Sequence, residues 1–206
     1  MEIAAAQADL RASYVRGGPG AIVSGVVWLI AAVTASVSGV ERGFVTLFFG
    51  GMLIAPIGML IVRRIFRRGT PLPGNPGGLT VIETVFPMIG GFLAAWLILP
   101  YRPDFVFPLC AIAVGAHYFG FRTAYGDNAY WFIASALCVA GIGSIFAKFP
   151  DATALPYAVA AMEVIFGCWL TWRGLSRSAC ARSSSAPYLM QADMQCCTQA
   201  GCKPLA

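Results

Sequence analysis

Glu83, His117 and Glu163 are ionisable side chains inside stretches otherwise fit for lipid. An acid or imidazole in hydrocarbon is costly, and where one is kept it commonly marks an ion or proton pathway. The chemistry open to them is proton or cation handling. A buried carboxyl exchanges its proton as its surroundings change, and histidine changes charge near neutral pH. Glu163 lies halfway along its apolar run, about 15 Å from either end at 1.5 Å per residue, so no helix cap accounts for it. Its helical face carries Pro156, Ala160, Gly167 and Thr171, small enough to pack helices closely or to line a cavity. Two roles are open: a carboxylate in a pathway, or a protonated carboxyl bonded to a neighbouring helix.

Glu83 sits four residues into its run and His117 four residues from the end of the next, so antiparallel helices bring them to similar depth. A Glu83–His117 pair at the inner mouth is one expectation, serving as proton relay or cation site. The other is that Thr80-Val81-Ile82-Glu83 forms a capping box, in which Thr80 and Glu83 satisfy each other's backbone amides. His117 lacks a second His or Cys at i+3 or i+4, so a structural bond to another helix is expected rather than metal ligation. There is no P-loop, HExxH or GxSxG motif, and no GxGxxG follows a strand. No enzyme, cofactor or metal is expected.

The elements that must position these residues follow from composition. The 206 residues are 58% hydrophobic and only 11% charged, with a mean hydropathy of +0.73; globular chains carry about 25% charged residues. Stretches of roughly 20 apolar residues recur, each long enough to cross a bilayer as a helix. The expected fold is all-α: a transmembrane bundle of about six spans, at residues 20–39, 43–62, 79–100, 105–121, 129–147 and 153–172. The domain reading is an amphipathic N-terminal segment over 1–19, the six-helix body over 20–173 and a disordered cytoplasmic tail over 174–206. A signal peptide is the alternative for the first run, but 21 residues from Pro19 to Gly39 exceed a 7–15-residue signal core.

Alternate loops then fall on opposite sides. Arg11, Arg16, Arg63, Arg64, Arg67, Arg68, Arg122, Arg173, Arg177, Arg182 and Lys203 share one side; Arg42, Arg102 and Lys148 take the other. That bias places both termini in the cytoplasm. It also assigns the net charge of +5 to topology rather than to nucleic acid. Pro56, Pro87 and Pro108 are expected to interrupt three spans, as packing kinks or as a transporter's broken helices. Tail cysteines Cys180, Cys196, Cys197 and Cys202 lack the paired spacing of zinc sites. Glu83-Thr-Val-Phe86 matches Glu163-Val-Ile-Phe166 in two of four positions, too little for an inverted repeat.

Val114-Gly115-Ala116-His117-Tyr118, followed by Tyr125-Gly126, resembles a stretch of small multi-pass bacterial membrane proteins with no assigned function. The resemblance covers about residues 8–175 and implies no activity. Two functions follow as expectations: a passive or proton-coupled small-solute permease of the bacterial inner membrane, or a structural or accessory membrane protein that binds a partner.

Overall fold

Each apolar run folds as a single helix, because only a helix satisfies its own backbone polar groups away from water. In the computed structural model, which describes residues 2–176, the helices are α1 (Ile3–Ser13), α2 (Gly18–Ser38), α3 (Val40–Arg64), α4 (Pro76–Ile98), α5 (Val106–Tyr125), α6 (Ala129–Phe146) and α7 (Leu155–Ser176). All but α1 are long and apolar enough to cross a membrane, so the six expected spans are present with their ends displaced by a few residues. The expected tail loses its first three residues to α7, and the remainder, with its four cysteines, lies outside the described residues.

Local chemistry sets the breaks. Gly39 turns α2 into α3 at φ 94°, and Gly126 closes α5 at φ 59°. The Asn75 side chain caps α4 by accepting from the Gly77 amide at 3.0 Å, with Pro76 in the first turn. Asp151 accepts from the Thr153 and Ala154 amides ahead of α7.

Pro108 does not interrupt its span as expected, and the other two prolines do not break theirs into separate helices. Pro108 falls in the first turn of α5, where no amide is needed, and α3 and α4 run unbroken through Pro56 and Pro87.

Small residues set the helix packing. A Cβ on Gly25 would lie 2.8 Å from the Ala160 carbonyl oxygen, and one on Gly18 2.7 Å from that of Gly167, so α2 and α7 touch backbone to backbone. Gly43 against Ala31 joins α3 to α2, Gly91 against Ala113 joins α4 to α5, and Gly115 against Ala134 joins α5 to α6. These antiparallel contacts gather the start of α2 and the end of α7 at the arginine-rich end of the bundle.

The bundle is uneven. In α3 and α4 only 17% and 11% of the apolar window is buried, against 39–50% in the other four long helices. α1 docks on the body: Leu10 is buried, Gln7 donates to the Thr123 carbonyl at 2.9 Å, and the Asn75 amide group donates to the Ala6 carbonyl and to Asp9.

Candidate functional site

Glu163 lies in the interior of the bundle. It is 0% exposed, about 12 Å along α7 from Leu155 at 1.5 Å per residue. The small residues on its face put it there: Ala160 and Gly167, one turn to either side, let α2 approach to backbone contact. Ser24 of α2 and Tyr118 of α5 are its polar neighbours, yet neither carboxyl oxygen makes a hydrogen bond of ordinary geometry. Buried polar atoms nearly always have a partner, and Ser24 and Tyr118 are the side chains placed to supply one.

Aromatic rings run from Glu163 toward the arginine-rich end. Tyr118 stacks on Tyr130 with ring centroids 6.1 Å apart, and Phe166 meets both rings edge-on at 6.4 and 5.4 Å. The Tyr130 hydroxyl donates to the Arg16 carbonyl at 2.7 Å. Arg16 in turn pairs with Asp127, both 8% exposed in their side chains. Arg173 approaches the same carboxylate oxygen at 3.5 Å. The hydroxyls of Tyr118 and Tyr130 therefore lie between the buried acid and a charged cluster at the bundle's end.

That cluster holds an unusual backbone. Val15, Arg16 and Gly17 are all left-handed, with φ of 49°, 57° and 79°. For a residue with a Cβ, that region costs about 1–2 kcal/mol. The Arg16–Asp127 pair and the Tyr130 hydroxyl hold the joint between α1 and α2 in place. Burial alone would raise the Asp127 carboxyl, but the Arg16 guanidinium, the Ala129 amide and Arg173 outweigh it and hold the group below its usual range.

The Glu83–His117 pair does not form. His117 Nδ1 instead lies 2.7 Å from Thr84 Oγ1, and the Thr84 hydroxyl also reaches the Val81 carbonyl at 2.8 Å. One residue is about 100° of helix rotation, which turns Thr84 toward α5 and leaves Glu83 exposed. The capping box is absent for a separate reason. α4 begins at Pro76 under the Asn75 cap, so Thr80 and Glu83 lie inside the helix rather than at its end. Thr80 Oγ1 instead donates to the Pro76 carbonyl at 3.4 Å.

Sequence reasoning placed Glu163 but missed Arg16, Asp127 and Tyr130. A charge at the end of an apolar run reads as a topology signal, and its partner lies 111 positions away. The available signal was Asp127 ahead of α6, the only acid in its loop.

The described residues hold seven helices and no strand, with six helices of membrane-crossing length and apolarity, which defines an all-helical bundle. The chain belongs to a family of unknown function, DUF7010, whose model matches residues 3–173. This agrees with the expected uncharacterised family, and the match takes in the whole bundle up to Arg173. No curated protein and no solved structure matches the chain.

Proposed function

We propose that this chain is a multi-pass protein of the bacterial inner membrane, both termini cytoplasmic, that passes a small solute by a proton-coupled or passive route. Glu163 is the carboxylate of that route. The observation that carries the reading is the complete burial of an acid at mid-helix, with the hydroxyls of Ser24 and Tyr118 beside it. Tyr118 and Tyr130 supply hydroxyls between Glu163 and the Arg16–Asp127 cluster. His117 belongs to a helix contact in this scheme rather than to the pathway, since Thr84 takes its Nδ1.

A screen for solutes that raise the melting temperature of the purified protein comes first, because a bound ligand stabilises the folded state by mass action. Proteoliposomes loaded with a pH dye then report proton movement down a gradient of the selected solute. Parent protein moves protons with the solute; Glu163→Gln, folded by the same melting assay, does not. Flux unchanged in Glu163→Gln would sink the role given to this residue.

The second reading, an accessory protein that binds a partner in the membrane, is favoured by one different observation. Glu83 is exposed on α4 among apolar residues, including Ile82 and Phe86, and a carboxylate on a lipid-facing surface is costly unless something pairs with it.

A further inference from the structure

Three charged groups meet between the start of α6 and the end of α7, and their charges do not cancel. Arg16 and Arg173 share one carboxylate, that of Asp127, which leaves one positive charge in excess. Arg16 is the tighter partner and is buried; its Nε has no hydrogen-bond partner. Arg173 is the looser one. Its contact is long at 3.5 Å, its side chain is 25% exposed, and its guanidinium lies 4.5 Å over the Trp169 ring.

That guanidinium borders an open surface cavity of about 500 Å³, lined also by Asp127, whose charge Arg16 and Arg173 more than offset, and by Asn128, Phe132, Trp169 and Trp172. Phe132 and Trp172 are 78% and 66% exposed. The cavity is therefore charged where the helices end and aromatic along its sides. Beyond it the outer faces of α6 and α7 continue apolar, with Val139 and Ile165 exposed. An occupant that fits must carry an anion at one end and a hydrocarbon body at the other. Tryptophan and arginine at a helix end are the residues that settle at lipid headgroups, and basic pockets between membrane helices take anionic headgroups.

We infer that the cavity bounded by Arg173, Asn128, Phe132 and the two tryptophans binds an acidic phospholipid, its phosphate on Arg173 and its acyl chains along Phe132 and Trp172. A zwitterionic headgroup brings its own cation and leaves the excess charge unanswered. A free phosphate leaves the aromatic walls uncovered. The site shares Asp127 with the cluster at the end of the aromatic run from Glu163, but lipid binding there does not depend on transport.

The test uses the full chain purified in detergent, titrated with phosphatidylglycerol, phosphatidylcholine or inorganic phosphate, and read by native mass spectrometry and melting temperature. Phosphatidylglycerol is expected to bind and to raise the melting temperature, with phosphatidylcholine and phosphate giving little. Arg173→Gln should weaken phosphatidylglycerol about tenfold, the weight of one charge-assisted hydrogen bond. Trp172→Ala, whose ring is mostly exposed and holds no core together, should weaken it several-fold and keeps the test open if Arg173→Gln does not fold. Equal binding of phosphatidylcholine overturns the proposal, as does parent-like phosphatidylglycerol binding by the folded variants. Stabilisation by phosphate equal to that by phosphatidylglycerol assigns the cavity to a soluble anion and overturns the lipid.

Discussion

Glu83 and Glu163 open the same short pattern, an acid with phenylalanine three residues on, yet they end in opposite surroundings. Glu163 is sealed between helices and Phe166 packs on Tyr118 and Tyr130. Glu83 is exposed and Phe86 is 70% exposed. The difference lies in what each helix faces. On α7, Ala160 and Gly167 meet the backbone of α2. On α4, Gly90 belongs to a similar stripe with Pro87 and Ala94, but a Cβ there would meet nothing within 4 Å. Small residues permit close approach; a complementary partner makes it happen.

The comparison between the tight part of the bundle and the loose part can be broken by mutation. The largest effect belongs to the charged joint. Asp127→Ala leaves Arg16 buried without its carboxylate and should cost about 3–5 kcal/mol in detergent unfolding, against about 0.5 kcal/mol or less for Glu83→Ala, as for most surface changes. Comparable losses would show that burial does not separate the two regions.

Packing comes next. Gly25→Ala drives a methyl into the Ala160 carbonyl and should cost about 1–3 kcal/mol, whereas Gly90→Ala, with open space around it, should be neutral or slightly stabilising through helix propensity. Melting temperatures of the pair read this directly. A similar loss at both positions would mean that α4 has a partner in that assay.

Thr84→Val removes the hydroxyl that meets His117. Hydrogen bonds between membrane helices are worth about 0.6–2 kcal/mol, and His117→Phe should add little once Thr84 is gone. Additive losses in the double variant would separate the two side chains.

The smallest effect is in the pH dependence. Asp127 is held below its usual range, so its contribution to stability is complete above the unfolded value of about 4 and is lost as pH falls through the lowered folded value. Melting temperature should drop between about pH 4 and lower, and more shallowly in Asp127→Asn. Identical profiles for parent and variant would remove Asp127 as the source.

Much of this molecule could be read from its residues. Six apolar runs of sufficient length gave six helices, because backbone satisfaction leaves little else for them to do. Glu163 was legible for the same reason: nothing near it in the chain can neutralise it. The start of α4 differs from the expected one: Asn75-Pro76 is a stronger start signal than Thr80 with Glu83, since a proline in the first turn gives up no hydrogen bond. Glu83 and His117 share a depth, but depth leaves the helix rotation undetermined, and Thr84 holds the contact. The α1–α2 joint was not legible. Left-handed Val15 and Arg16 break a local preference, and only the distant Asp127 and Tyr130 stabilise the exception.

The most direct test sets the two acids side by side in one assay. Glu163→Gln and Glu83→Gln are reconstituted at equal density with the parent, and solute-driven proton movement is followed in each. The account predicts that Glu163→Gln loses the flux while Glu83→Gln keeps it at the parent rate. Loss in Glu83→Gln with flux retained in Glu163→Gln would contradict it.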